Sequence, residues 1–193
     1  NVTVNSFRKQ ITEGWNFVSF PIADESTPAI QQTINTSKID VIWTYKNKEW
    51  QIYDPEASEN DFTEFEGGTG YMVNASEEFV LNPNVNTVRS DEVTGRNLLK
   101  ASTTLDTGYN LIGIFQEHSV TANNSVRGAF GAIDASRVDR VLGQSKEGTR
   151  QVNDVIREST GNSPKDMIPG KAYWMKLTGS GDAVYAEPLI GGG

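Results

Sequence analysis

One short phrase occurs twice in this sequence and limits its possible folds more than any other feature. Residues 13–22 read EGWNFVSFPI, and residues 107–116 read TGYNLIGIFQ. Three further blocks follow each copy in the same order: a Ser/Thr/Asn-rich segment, then KIDVIWTY or RVDRVLGQ, then GGTGYMVN or PGKAYWMK. The spacing between matching blocks increases along the chain, as insertions in surface loops would cause. We therefore predict a duplicated unit, with residues 1–97 and 98–193 as two related units packed together.

The pattern within a unit predicts strands and one short helix. WNFVSFPI is rich in β-branched and aromatic residues and ends at Pro21, which favours a buried strand. In STPAIQQTINTS, Pro28 lies in a first-turn position and Ile30 and Ile34 are spaced for one helix face. NNSVRGAFGAI is expected to form the matching helix of the second unit. The predicted fold class is α+β, mainly β, with about five strands and one short helix in each unit.

The segment DVIWTYKNKEWQIYD predicts a β-hairpin that turns at Asn47-Lys48. That turn places Tyr45 opposite Trp50 and Trp43 opposite Ile52, so these side chains share one apolar face, the face that a core would cover. The other face carries Lys46 opposite Glu49 and is expected to be solvated. Tyr53 falls on that second face and is the aromatic expected to be most exposed.

Composition excludes several classes of function. The chain has 193 residues, no Cys, one His and a net charge of −8, and all of the excess negative charge lies in residues 1–97. Thiol chemistry and His-rich metal sites are therefore excluded, and binding to nucleic acid is disfavoured. No apolar run is long enough for a membrane helix, so no membrane span is expected within the chain. The start at Asn1 without Met predicts a processed protein or an excised part of a longer one.

The repeated blocks resemble a known type of repeat. G-[WY]-N-[FL]-[VI]-[SG]-[FI], the Asp-Val-Ile-Trp-Thr-Tyr strand with Trp50 after it, and the closing G-[TK]-[GA]-Y-[MW] are similar to "GWNLVG…PGKGYWV" repeats of secreted and cell-surface proteins of archaea and bacteria. The resemblance implies an exported, modular, β-rich unit and brings no catalytic residues. The second unit departs from it, since Leu142-Gly143-Gln144 replaces Trp43-Thr44-Tyr45 and Ala172 replaces a glycine.

Two groups of residues are candidate binding sites. The acidic segment 54–66 contains carboxylates that could converge on Ca²⁺, although the spacing is not that of an EF-hand. Its candidate ligands are Asp54, Glu56, Glu59 and Asp61. The candidate carbohydrate-binding aromatics are Tyr53, Trp50 and Trp43, since an aromatic face can pack against a sugar ring. His118 lacks the signature of a catalytic triad and is expected to be an exposed loop residue.

The leading functional hypothesis is a non-catalytic structural or interaction module of an exported protein, located outside the cell or at its surface. Its expected partners are other cell-surface proteins or glycans, and no cofactor is expected apart from possible calcium. The first alternative is a carbohydrate-binding module that uses the first-unit aromatics. The second is a hydrolase that uses paired carboxylates, which nothing in the sequence marks.

Overall fold

Antiparallel strands account for most of the regular structure. The structure is a computed structural model, and it describes residues 8–22, 27–81, 102–116, 118–125, 127–157 and 165–187. One short helix, α1 (Ile30–Thr33), and two 3-10 turns, Thr36–Lys38 and Ala135–Arg137, occur in these ranges. The strands there are β1 (Lys9–Ile11), β2 (Gly14–Ser19), β3 (Ile39–Lys46), β4 (Glu49–Tyr53), β5 (Gly70–Ala75), β6 (Phe79–Leu81), β7 (Ser102–Leu105), β8 (Gly108–Ile112), β9 (Val120–Thr121), β10 (Val138–Gln144), β11 (Val152–Arg157), β12 (Asp166–Met167), β13 (Tyr173–Leu177) and β14 (Ala183–Ala186).

Two four-stranded sheets with corresponding strand orders form the centre of the fold. The first has the order β2-β5-β3-β4 and the second the order β8-β13-β10-β11. Two-stranded ribbons accompany them, β1 with β6 and β7 with β14, and β9 pairs with β12. The prediction of a mainly β protein is confirmed. The proposed boundary between residues 97 and 98 lies outside the described residues and stays a prediction. No helix in the described part of the chain has the length and apolar character needed to cross a membrane.

The first hairpin has the predicted register. Asn47 and Lys48 have φ values of 55° and 63°, the left-handed pair that a two-residue type I′ turn requires. Tyr45 pairs with Trp50 and Trp43 pairs with Ile52, as the turn position predicts. The turn thus fixes which side chains of β3 and β4 share a face.

The helix predictions have different outcomes in the two halves. α1 is confirmed, and Ile30 and Ile34 are both buried. The helix expected around residues 123–133 is wrong, because the described residues there form turns. Two features favour turns: Gly128 lies directly against Asn123, and the Asn124 amide donates to the carbonyls of Phe130 and Ile133 at 3.1 and 3.0 Å.

Each sheet buries side chains on both faces. One face of the first sheet packs under α1 and the 62–65 segment, where Ile42, Tyr53 and Phe65 are buried. The far face of the second sheet has its own core, with Val141, Met175 and Tyr185. A third cluster of Phe17, Met72, Leu111 and Ala172 lies between the sheets.

The face of β3 and β4 expected to be solvated is therefore largely buried, and that expectation is wrong. Thr44 on that face is 3% exposed, and its hydroxyl donates to the Gly70 carbonyl at 2.8 Å. Lys46 at its end forms an ion pair with Glu66. The physical reason is the 62–65 segment, which returns over this face and covers it with Phe62 and Phe65.

Equivalent contacts join the two halves at both sheet edges. The Ser19 N–H donates to the Gly170 carbonyl at 2.9 Å, and the Gly113 N–H donates to the Gly68 carbonyl at 3.1 Å. The bridges Val18–Lys171 and Thr69–Ile112 lie beside these bonds. Since β2 and β8 are the outer strands of their sheets, each half covers the exposed strand edge of the other.

The two copies of the closing motif also make matching internal bonds. The Tyr71 hydroxyl accepts a hydrogen bond from the Glu66 N–H at 2.8 Å, and the Tyr173 hydroxyl accepts one from the Ile168 N–H at 2.8 Å. Burial raises the pKa of both phenols above the usual value, so each stays protonated at neutral pH. The closing motif thus uses its tyrosine to anchor the loop that precedes its own strand.

Candidate functional site

Six aromatic side chains form a continuous strip across both sheets. The aromatic strip consists of Trp15, Trp43, Tyr45, Trp50, Tyr109 and Trp174. Trp50 lies at its centre, with ring centroids 5.2 Å from Tyr45, 5.6 Å from Trp43 and 5.7 Å from Trp174. Trp15 extends the strip at one end, 5.1 Å from Trp43, and Tyr109 at the other, 6.3 Å from Trp174. Most of these pairs are edge-to-face, the geometry that aromatic quadrupoles favour.

Strand register brings these rings together. β3 and β4 place Tyr45 directly opposite Trp50, and β8 and β13 place Leu111 directly opposite Trp174. Successive side chains of a strand point to opposite faces, so Trp174 lies on the face opposite buried Tyr173. Phe17, Met72 and Leu111 form the buried floor between the sheets, against which Trp15, Trp43, Tyr45 and Trp174 pack.

Two members of the strip are open to solvent. Trp50 is 48% exposed and Tyr109 is 41% exposed, whereas the other four are partly buried. Ile52 beside them on β4 is 41% exposed. Large aromatics are usually covered, so the exposure of two rings within one continuous strip marks it as a surface available for contact.

Cationic groups border both ends of the strip. The Arg150 guanidinium lies 5.5 Å from the centroid of the Trp15 ring, and the Lys176 ammonium lies 5.9 Å from that of Tyr109. Lys176 also pairs with Asp139 at 3.3 Å. The strip therefore combines exposed ring faces with hydrogen-bonding groups at its borders, which suits a ligand with apolar faces and many hydroxyls.

The structure separates the three predicted carbohydrate-binding aromatics. Trp43 and Trp50 belong to the strip, but Tyr53 is only 2% exposed and packs near Phe62 in the first core. The expectation that Tyr53 is the exposed aromatic is wrong, because the face that carries it is the one that the 62–65 segment covers. A buried ring cannot stack on a sugar, so Tyr53 does not belong to a surface site.

Three members of the strip were identified from the sequence, on a face that a core was expected to cover, and the other three were missed. Trp15 and Tyr109 occupy the same position of the repeated phrase, and Trp174 follows the tyrosine of the closing motif. Period-two alternation could have placed them together on the face shared by the two sheets. Trp43, Tyr45 and Trp50 lie on the face that a core was expected to cover; in the structure Trp43 and Tyr45 are partly buried, and Trp50 is half-exposed.

The four acidic calcium candidates do not converge in the described structure. Asp61 Oδ2 accepts a hydrogen bond from the Ile52 N–H at 2.8 Å, and Asp54 Oδ1 accepts one from the Glu56 N–H at 2.8 Å. Glu56 and Glu59 are exposed. Among the described residues, no three His, Asp or Glu side chains are grouped as metal ligands. Calcium binding by Asp54, Glu56, Glu59 and Asp61 stays a prediction. His118 is exposed, as expected.

Comparison with protein-family models, with curated proteins and with solved structures found no match to this chain. Its function is therefore inferred from the geometry of its own side chains.

Proposed function

We propose that this chain is a non-catalytic interaction module of an exported, cell-surface protein, and that the aromatic strip is its binding surface. The observation that carries the proposal is the pair of half-exposed rings, Trp50 and Tyr109, within a continuous strip that spans both sheets. The reciprocal edge contacts between the halves support it further, since they hold strands from both sheets in one fixed arrangement.

Carbohydrate is the ligand class that the strip supports best. The C–H faces of a sugar ring pack against an aromatic face, while its hydroxyls need nearby polar groups. Trp50 and Tyr109 offer the exposed rings, and Arg150 and Lys176 offer donors at the two ends. The described geometry tests neither a purely structural role nor a carboxylate-dependent hydrolase, and both stay predictions.

A glycan array followed by calorimetry with the best ligand tests the proposal. We expect Trp50→Ala and Tyr109→Ala each to weaken binding about tenfold or more, in line with the roughly 1–3 kcal/mol that a stacked aromatic contributes in other ligand sites. Val184→Ala is the matched control, because Val184 is 56% exposed but lies on β14, outside the strip. Thermal unfolding checks that all three variants fold.

Two outcomes would contradict this assignment. If no glycan binds, the ligand class is wrong. If a glycan binds with equal affinity to the wild type and to Trp50→Ala, the strip is not the binding surface. If a protein partner binds and its binding depends on Trp50, the strip is still the binding surface, but its ligand is a protein and not a carbohydrate.

A further inference from the structure

A cleft lies between the halves, and none of the six aromatic residues of the strip is among its lining residues. It is a cleft of about 170 Å³, lined in the first half by residues of β1 and β2 and in the second by residues 144–155 and 165–173. The inter-unit cleft has five charged lining residues: Lys9, Lys165, Lys171, Glu147 and Asp166. Pockets for drug-sized ligands are typically about 300–1,000 Å³, so this cleft suits a smaller molecule or ion.

The charge of the cleft differs from that of the chain. Its lining carries three lysines against two carboxylates, whereas the whole chain has a net charge of −8. Among the described residues, none of the three ammonium groups has a carboxylate within 4 Å. A cleft whose described lining carries an excess of positive charge is a candidate site for an anion.

The side-chain amides of Gln144 and Asn16, which line the cleft, already form hydrogen bonds with the backbone. Gln144 accepts a hydrogen bond from the Phe17 N–H at 3.1 Å and donates to the Trp15 carbonyl at 2.8 Å. Asn16 donates to the carbonyls of Thr12 and Gly14 at 2.8 and 2.9 Å. Among the donors that line the cleft, the three lysines are the positively charged ones.

The surroundings of Lys9 disfavour its positive charge. Burial, together with the nearby positive charge of Lys171, lowers the pKa of Lys9 to about 8, and the carboxylate of Glu147 opposes this change. The protonated form is disfavoured here because it is partly desolvated beside a like charge. The negative charge of a bound anion would oppose both effects, because it favours the protonated form of Lys9.

We propose that the inter-unit cleft binds a small ligand through an oxyanion group, a carboxylate or a phosphate, held by the ammonium groups of Lys9 and Lys171. Lys165 adds positive charge to the same cleft, and Glu147 and Asp166 provide acceptors for hydroxyl groups of the same ligand. This site is independent of carbohydrate binding at the aromatic strip. Separate probes, one with a carboxylate and one with a phosphate, distinguish the two kinds of ligand.

Calorimetry with sodium glucuronate and with inorganic phosphate, at constant ionic strength, tests this site, with glucose as the neutral control. We expect saturable binding of at least one anion and none of glucose. Lys9→Gln and Lys171→Gln should each weaken binding about tenfold, since hydrogen bonds to charged groups are stronger than those between neutral groups. Lys48→Gln, in the exposed hairpin turn, should bind like the wild type.

The pH dependence of glucuronate binding gives an independent readout. Its carboxylate stays ionised from pH 7 to 9, so Lys9 with a pKa of about 8 is the group expected to lose its charge as the pH rises. Binding to the wild type should weaken about tenfold over these two pH units, and binding to Lys9→Gln should not change. Trp50→Ala should retain anion binding, which separates this site from the strip.

The proposal is overturned if neither anion shows saturable binding, or if both lysine variants bind as the wild type does. Binding of phosphate alone would assign a phosphate ligand, and binding of glucuronate alone a carboxylate ligand. Thermal shift measurements with and without the anion confirm that each variant is folded when it is tested.

Discussion

Asn16 and Asn110 hold corresponding turns in the two halves. Asn16 Oδ1 accepts from the Thr12 N–H at 3.0 Å, and its amide donates to the Thr12 and Gly14 carbonyls. Asn110 Oδ1 accepts from the Asp106 N–H at 3.0 Å, and its amide donates to the Asp106 and Gly108 carbonyls. The asparagine of the repeated phrase thus closes the turn that leads into β2 or β8.

Replacing Asn16 should destabilise the fold. Asn16→Ala removes the partners of the Thr12 N–H and of two carbonyls, and one hydrogen bond contributes about 0.5–1.5 kcal/mol. For these three bonds together we expect the free energy of unfolding, measured by urea denaturation, to fall by about 1.5–4.5 kcal/mol. Asn153→Ala is the control, because Asn153 is exposed on β11. Equal stability of the two variants would show that the Asn16 bonds contribute nothing.

The sequence predicts which side chains of the β3–β4 hairpin share a face, but it does not predict which of the two faces is buried. The turn at Asn47-Lys48 correctly put Trp43, Tyr45 and Trp50 on one face and Tyr53 on the other. Which face lies under other residues depends on contacts distant in sequence, such as the return of Phe62 and Phe65 over Tyr53. For that reason Trp50 was expected in the core and Tyr53 at the surface, the reverse of what is found.

At the scale of elements, strands were predictable where two copies of a block agreed. β2, β5, β8 and β13 match the repeated phrase and the closing motif. The second helix failed because its Gly128 and its Asn side chains favour turns, a preference that apolar spacing does not detect. The clustering of Trp15, Tyr109 and Trp174 with the hairpin depended on how two sheets pack, which no single element specifies.

The acidic segment after β4 protects a sheet edge. β4 is the outer strand of the first sheet, and on its outer side the Ile52 N–H donates to Asp61 Oδ2 while the Ile52 carbonyl accepts from the Asp61 N–H at 3.2 Å. The Asp54 N–H donates to Asn60 Oδ1 at 2.6 Å in the same segment. An edge whose N–H and C=O groups are paired cannot add a strand from another molecule.

Removal of the Asp61 carboxylate should expose this edge. We expect Asp61→Ala to lower the free energy of unfolding by about 0.5–1.5 kcal/mol, the usual contribution of one hydrogen bond. It should also speed aggregation near the melting temperature, measured by light scattering, because the Ile52 N–H becomes free to pair with another chain. Glu59→Ala removes the same charge from an exposed residue of the segment and should change neither. If Asp61→Ala and Glu59→Ala aggregate equally fast, the loss of a negative charge, and not the exposed strand edge, is the cause.

At the scale of the whole molecule, a comparison of Gly14 with Gly108 distinguishes local backbone strain from the contact between the halves. Both residues precede the aromatic of the repeated phrase and have positive φ values, 90° and 99°. A Cβ on Gly14 would lie 2.5 Å from the Gly148 carbonyl oxygen of the other half, whereas a Cβ on Gly108 would meet nothing within 4 Å. The Trp15 N–H and the Gly148 carbonyl bond at 3.1 Å beside this point.

Gly14→Ala should therefore destabilise the protein more than Gly108→Ala does. Backbone strain affects both variants and costs about 1–2 kcal/mol, while overpacking adds about 1–3 kcal/mol in Gly14→Ala alone. Denaturant unfolding measures both free energies, and their difference reports the contact between the halves. Because that contact involves both sheets, we expect one cooperative transition for the wild type. Equal losses in the two variants, or two separate transitions in the wild type, would show that the halves are stable independently of each other.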